Sequence, residues 1–426
     1  MKIVADLHIH SRFSRATSQN MNITEISRFA KIKGLKVVGT GDFTHPQWFG
    51  ELSEELTEAD NTSLYGPSKH PEFPIRYMLT AEVCTIYPVN EKSKKIHHVI
   101  FTPNFETASQ INDRLKDYGN LEVDGRPILN MTSAQFVEEI VQVSYQNEVV
   151  PAHVWTPWFS LFGALSGFDT VEDCYEDMTK HIHALETGLS SDPPMNWRLS
   201  SLDRFTLISN SDCHSHWPWR IGREANVFEL EKLTYMEIVD AIRKKDNKRF
   251  KFTIETNPAY GKYHWTGHRN CNVSLPPKEA IKYDNRCPVC GRKLTKGVEQ
   301  RIEELADRPE NYTPQNPIGY KRLLPLSEII TAVLGVSNPA TQKVWNIYNL
   351  LIKKFGDEYT VLMDTPKEEM EKVVYPKIAE AVVRVRTEKA HVIPGYDGVY
   401  GQLVIFNEEQ PETVQKPKQK SMADFL

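Results

Sequence analysis

Over the first 255 residues, short runs rich in Val, Ile and Leu alternate with longer stretches whose apolar residues recur at helical spacing. The runs are residues 2–7, 35–40, 76–80, 96–102, 148–152, 183–186 and 205–209. Helical stretches include residues 22–33, with Ile26, Phe29, Ala30 and Ile32 on one side and Thr24 as a candidate cap, and residues 133–146, with Phe136, Val137, Ile140, Val141 and Tyr145. Strands alternating with amphipathic helices predict βα units and a mainly parallel sheet, an α/β fold. Past residue 255 the pattern changes. Residues 256–300 are rich in Lys, Arg and Pro around a group of His and Cys, and residues 301–388 return to helical spacing, with Leu326, Ile329, Ile330, Val333 and Leu334, then Val344, Ile347, Leu350 and Leu351. Residues 393–406 read as a hairpin with a glycine-rich, aromatic loop, and residues 407–420 as a disordered linker interrupted by Pro411 and Pro417. The expected division is 1–255, 256–300, 301–406 and 407–426.

At 426 residues, 40% hydrophobic and 25% charged, the chain can bury several cores. No run of about 18 apolar residues spans a bilayer, and Met1 leads into a strand instead of a signal peptide. We expect an intracellular protein, cytoplasmic or nucleoid-associated, with no membrane partner. Cys84, Cys174 and Cys213 are scattered, whereas Cys271, Cys287 and Cys290 cluster near His264 and His268, so no disulfide framework is expected. The net charge of −5 does not itself point to nucleic acid. The most basic stretch, residues 243–251, reads either as a track for a phosphate backbone or as a solvated helix end.

The residues at the end of each apolar run carry the chemistry. His8 and His10 stand two apart at the end of the first, on one side of the strand. Asp42 and His45 follow the second run, Glu82 the third, His153 the fifth, Glu186 with Asp192 the sixth, and Asp212 with His214 the seventh; His97 and His98 lie within the fourth. In a closed βα barrel the carboxyl ends of the strands share one face. Mixed His and carboxylate ligands there suit zinc or manganese better than a lone magnesium, and clustered divalent ions hydrolyse phosphate esters. Asp192 is either a further ligand or acid–base group, or an aspartate capping the turn at Pro193. Arg12, Arg15 and Arg220 are candidate phosphate clamps, with plain surface arginines as the alternative.

The series Asp6-Leu7-His8-Ile9-His10-Ser11, Thr40-Gly41-Asp42, Glu82, His98, His153 and Ser211-Asp212-Cys213-His214 resembles the polymerase and histidinol phosphatase (PHP) family over about the first 250 residues. The resemblance implies a PHP-type distorted seven-stranded (β/α) barrel holding two or three divalent ions (zinc, manganese or magnesium). It implies that His8, His10, Glu82 and Asp212 surround one metal, that Glu82 bridges to a second held by His98 and His153, and that His214 helps to hold a third. The family's Asp-His after the second strand is Asp42-Phe43 here, and Ser14 and Arg15 stand where a histidine is often found, so Asp42 or His45 is expected to substitute at the third site. Glu82, Asp212 and Asp192 are the candidate catalytic carboxylates, and Asp6 is expected to orient a histidine from behind.

In the second module, Cys287-Pro288-Val289-Cys290-Gly291 is a zinc-knuckle turn and His268-Arg269-Asn270-Cys271 offers a partner pair at the same spacing. One structural zinc on His268, Cys271, Cys287 and Cys290 is expected, with His264 as the alternative fourth ligand. The chain ends in Gln419, Met422, Phe425 and Leu426, spaced as in the sliding-clamp (PCNA) interaction box, in which a short helical turn fills an apolar groove. The loop of residues 393–406 and Trp155 to Phe159 each read as a surface near a nucleobase or as a plain turn or lid. Barrel, zinc module, α-helical domain and clamp-binding tail together resemble a PHP-type DNA repair endonuclease. That implies damaged DNA as partner and cleavage 5′ to uracil, hypoxanthine, xanthine or an abasic site, leaving 3′-hydroxyl and 5′-phosphate ends. The rival functions are a small-molecule phosphate monoesterase, which would need the barrel alone, and a non-catalytic scaffold at the clamp.

Overall fold

The strand Lys2–Asp6 is the hub of the central sheet, pairing in parallel with Val37–Gly39 and antiparallel with Ala225–Glu229. The computed structural model describes residues 1–406, so the clamp-binding box expected at Gln419, Met422, Phe425 and Leu426 lies outside the described residues. Val37–Gly39 pairs in parallel with Arg76–Val89, which turns back as an antiparallel hairpin into Lys92–Thr102, and this strand pairs with Glu148–Pro151. Ala184–Glu186 and Thr206–Ile208 form a parallel pair. Backbone hydrogen bonds between strand ends complete the ring, Val154 N–H to Glu186 O on one side and His10 N–H to Cys213 O on the other. All seven predicted runs are therefore strands of a distorted α/β barrel.

The hairpin departs from the expected chain of parallel βα units. A parallel crossover needs a dozen or more residues, whereas Val89 and Lys92 are joined by Asn90 and Glu91 alone, both at positive φ (48° and 65°) as a two-residue hairpin turn requires. Inside the ring, Ile3, Ala5, Leu7, Val37, Val99, Phe101, Val150 and Ile208 pack as one cluster, while Val4, Val38, Leu79, Val83, Ile100 and Val149 face the surrounding helices in another. The interior is thus a packed core, and chemistry is confined to the mouth.

Capping sets the helix ends. The helix Ile23–Lys33 starts at Asn22, whose side chain accepts from Glu25 N–H, ahead of the candidate cap Thr24. Ser133–Val143 opens with a reciprocal box between Thr132 and Gln135. The basic stretch at residues 243–251 lies at the start of strand Phe250–Glu255, which runs parallel to Lys2–Asp6, and so at the end of the barrel opposite the mouth. Half of its six basic side chains are in close ion pairs: Arg243 with Glu148, Lys244 with Asp240, and Arg249 with Asp246 and Glu237.

The Cys/His module is a small hairpin, Thr266–His268 with Val273–Leu275, and the helix Val298–Leu305 fastens it to the barrel through Arg301, whose guanidinium donates to Phe162 O and Phe168 O. Gly319–Arg322, in the stretch expected to be helical, instead adds a parallel strand beside Phe250–Glu255. Helices Leu326–Leu334, Gln342–Phe355, Lys367–Glu371 and Pro376–Arg386 follow, and then the hairpin His391–Ile393 with Gln402–Val404. That hairpin's loop returns to the Cys/His module, where Asp397 accepts from Arg269 N–H at 2.7 Å. No helix among the described residues is long and apolar enough to cross a membrane.

Candidate metal centre

At the barrel mouth the first strand delivers His8 and His10 side by side. His8 Nδ1–H donates to Glu186 (3.0 and 3.1 Å to its two oxygens), which turns the Nε2 lone pair toward Glu82 Oε2 at 3.7 Å and Asp212 Oδ1 at 3.6 Å. That Nε2 is buried and has no hydrogen-bond partner among the described residues. His10 is oriented in the same way from behind, Nδ1 lying 3.0 Å from Asp42, while its Nε2 lies 2.9 Å from Asp212 Oδ1 and 3.2 Å from Glu82 Oε2. Burial opposes charge on both imidazoles, yet for His8 the carboxylates of Glu186, Glu82 and Asp212 outweigh it, and for His10 those of Asp42, Asp212 and Glu82 do. Both are held well above the usual histidine range. A set of two imidazoles and two carboxylates, buried but for Asp212 at 30% side-chain exposure, with one ligand atom unpartnered, fits a divalent cation.

The second group shares Glu82. Its Oε1 lies 2.8 Å from His97 Nδ1 and 3.1 Å from His153 Nε2, so the two carboxylate oxygens face two different sets. The ligand atoms of His8, His10, Glu82 and Asp212, and those of Glu82, His97 and His153, each lie within 4.8 Å of one another. Where the resemblance implied His98, the structure puts His97. In the hairpin Cys84 pairs with His97 and Val83 with His98; paired residues share a face, and Glu82 shares its face with Cys84, so His97 points to Glu82 and His98 points away. His98 instead bonds Thr85 Oγ1 and the Tyr175 hydroxyl, both at 2.9 Å, and burial, with His97 beside it, brings its pKa down to about 3.

Other expected ligands serve as supports. Asp42 joins neither ligand set among the described residues: its carboxylate accepts from Ser11 N–H (2.6 Å), Ser11 Oγ and His10. His45 precedes the helix Pro46–Glu55, stacks on Phe13 and donates Nε2–H to Glu122 O at 3.2 Å. His214 lies with its ring 4.4 Å from that of His10 and donates Nδ1–H to Asp212 O. Among the described residues, no third cluster of ligand atoms forms in the barrel. Asp192 caps the short helix Pro193–Asn196 and is clamped by Arg322 at 2.6 and 2.9 Å, away from both sets, so the capping alternative holds. Asp6 does not orient a histidine. It accepts from Ser211 and Gly222 and so ties the first strand to the loop carrying Asp212, and burial pushes its pKa up to about 6 against those hydrogen bonds. Arg126, which nothing in the local sequence marks, places Nη1 3.2 Å from Glu82 Oε2. Burial alone would raise Glu82, but His97, Arg126 and His8 hold it well below the carboxylate range.

Three strand-end residues of the site, Asp42, His153 and Asp212, have φ of 50°, 31° and 47°, left-handed values that non-glycine residues rarely adopt. Such positions cost roughly 1–3 kcal/mol each and persist where the surroundings over-determine them.

Beside the two sets lies a cavity of about 490 Å³, lined by His97, His153, Asp212 and Arg126 and by Trp158, Phe159, Tyr263, His264 and Tyr400. Barrel, Cys/His module and terminal hairpin each contribute a wall. Trp158 is 39% and Tyr400 60% exposed. In the Cys/His module itself, His268, Cys271, Cys287 and Cys290 bring their ligand atoms within 4.8 Å, with His268 Nδ1 3.4 Å from Cys290 Sγ, a donor set suited to structural zinc. His264 is not part of it: it lines the cavity, and burial followed by Arg322 pushes its pKa down to about 4.

Residues 325–389 match the family model described as the MJ0043 C-terminal domain. The uncharacterized protein MJ0043 of Methanocaldococcus jannaschii is 36% identical over 253 residues, 58% of this chain; the match spans only 31% of that relative's length. The lesion-specific endonuclease PfuEndoQ of Pyrococcus furiosus superposes with a TM-score of 0.85 at 34% identity, covering 96% of both chains. Endonuclease Q in complex with a 27-mer duplex carrying an abasic lesion at the active site superposes with a TM-score of 0.84 at 33% identity, covering 96% of this chain and 97% of the other. With a third of its residues shared over nearly the whole length and the same fold, the chain belongs to the endonuclease Q family of DNA endonucleases.

Proposed function

We propose that the protein is a metal-dependent DNA repair endonuclease that hydrolyses the phosphodiester 5′ to a deaminated base (uracil, hypoxanthine or xanthine) or an abasic site, leaving 3′-hydroxyl and 5′-phosphate ends. The observation that carries it is the position of Glu82, one oxygen toward His8, His10 and Asp212 and the other toward His97 and His153, with His97, His153 and Asp212 also lining an aromatic cavity. His8, His10, Glu82 and Asp212 would hold one divalent ion, and Glu82, His97 and His153 a second. Such ions supply Lewis acidity, acidifying water and offsetting charge on the phosphate oxygens. The chain's own contributions are preorganisation and exclusion. Glu186 and Asp42 fix the tautomers of His8 and His10, so that the nitrogens aimed inward are free to ligate. Trp158, Phe159, Tyr263 and Tyr400 offer π faces on which a nucleotide extruded from the duplex can rest.

Matched labelled duplexes containing normal, uracil, hypoxanthine, xanthine and abasic positions test this. Nicking 5′ to the lesions that depends on added metal is expected, with no cut in the normal duplex, and loss of nicking in Asp212→Ala and His8→Ala. Wild-type rates in those two variants would show the site to be elsewhere; release of phosphate from monoesters without DNA cleavage would favour the phosphatase. We further propose that residues 419–426 dock on the sliding clamp, so Phe425→Ala is expected to lose clamp binding while keeping the nicking rate on short duplexes.

A further inference from the structure

The ligand sets and the aromatic cavity meet along one seam. His97, His153 and Asp212 belong to both, and Arg126 stands among them. Under the endonuclease reading, on which the role of Arg126 depends, a nucleotide held in the cavity presents its 5′ phosphodiester to the ligands at this seam. Two side chains of fixed positive charge line the cavity. Lys262 lies over the faces of Tyr263 and Tyr400, with Nζ 5.5 and 5.8 Å from the ring centroids, which leaves Arg126 as the cation at the ligands. Its Nη1–H donates to Glu82, and among the described residues no other protein acceptor takes its Nε–H or Nη2–H groups.

The loop is built to hold that guanidinium still. Gly125 N–H donates to Phe13 O, Thr44 Oγ1 donates to Gly125 O, Asp124 accepts from the N–H groups of Arg15 and Arg126, and His45 donates to Glu122 O. Gly125 passes so close to the site that any side chain there would run into Asp42 Oδ2 and Ser14 Oγ. His45, expected as a ligand from the sequence, thus acts on the site through this loop.

We propose that Arg126 is a catalytic residue of the phosphodiester hydrolysis: with one N–H retained on Glu82, the rest of its planar fork binds a non-bridging oxygen of the scissile phosphate and counters the charge that collects on the equatorial oxygens during displacement. A lysine would keep the charge but lose the fork.

The test compares wild type, Arg126→Ala, Arg126→Gln and Arg126→Lys on lesion duplexes and on bis(p-nitrophenyl) phosphate, with metal content and thermal midpoint measured for each. In Arg126→Ala we expect kcat to fall roughly 100-fold or more with metal content and midpoint unchanged, and millimolar guanidinium to restore part of the rate. Arg126→Gln should lose as much, and Arg126→Lys should recover duplex affinity more than kcat. Wild-type kcat in Arg126→Ala, or loss of metal in proportion to loss of rate in both neutral variants, would overturn the proposal, the latter by reducing Arg126 to a brace for Glu82. If the wild type cleaves the nitrophenyl diester but no lesion duplex, the lesion reading fails, and the same comparisons on that diester still decide the role of Arg126.

Discussion

Lys33 Nζ lies 2.8 Å from Glu358 Oε1, with the two side chains 1% and 0% exposed, so a completely buried ion pair joins the first helix of the barrel to the C-terminal helical region. Further partners hold it: Lys33 also donates to Pro218 O and lies over the Tyr359 ring, and Glu358 accepts from Leu326 N–H and the Tyr348 hydroxyl. Removing one member strands the other without water. Glu358→Ala is expected to cost roughly 3–5 kcal/mol, whereas Lys33→Met with Glu358→Leu should recover most of that loss. Urea unfolding of the two variants checks both figures; a double variant as unstable as the single would show that the pair is not what couples these elements.

The hairpin register makes adjacent histidines unequal. His97→Ala should remove about one equivalent of barrel-bound metal and most of the nicking rate, since His97 faces Glu82. His98→Ala should keep full metal content and lose only packing against Phe136 and the bonds to Thr85 and Tyr175. Mass-spectrometric metal analysis of the two purified variants separates them, and the opposite result would require a different register.

Stability should fall as pH rises. Burial pushes Glu255 up to about 8, and Glu224, buried next to it and repelled by it, is raised as well; the Ser209 hydroxyl donates to Glu224. The folded protein therefore holds protons that the unfolded chain releases near the ordinary carboxylate value of 4.5. The contribution is complete below that value and disappears as pH climbs through about 8. Unfolding midpoints should decline from about pH 5 to about pH 9, and Glu255→Gln, a permanently neutral substitute, should flatten the decline. An unchanged slope in that variant would assign the effect to other groups.

For the Cys/His module, Cys290→Ser should release one equivalent of zinc, and hydrogen-exchange protection should drop across residues 264–300 while the barrel retains its own metals. Retention of the full metal count would mean that three donors suffice or that His264 replaces the lost ligand.

The parts of the site that could be seen in the sequence are those fixed by local geometry. His8 and His10 are readable because positions two apart on a strand share a side, and Glu82, His153 and Asp212 because each closely follows an apolar run. His97 against His98 could not be settled that way, since the answer depends on the pairing of Cys84 with His97 across a turn whose two residues, Asn90 and Glu91, lack the usual glycine. The signal that was present is the alternation of Val83, Thr85, Tyr87 and Val89, which leaves no room for a crossover helix. Asp192 misled for a related reason: its partner Arg322 lies 130 residues away. Arg126 was hidden altogether, being an ordinary arginine until a loop anchored by Gly125 sets it over Glu82.

The left-handed turns at Asp42, His153 and Asp212 mean that the fold holds this mouth against the preference of its own backbone. At each position glycine would relax the main chain, so Asp212→Gly could yield a protein that melts higher than its parent and cuts nothing. A family member that had drifted into a pure binding role would be recognised by that exchange: the ligand-bearing corners softened to glycine or asparagine, the barrel sturdier, and the chemistry gone.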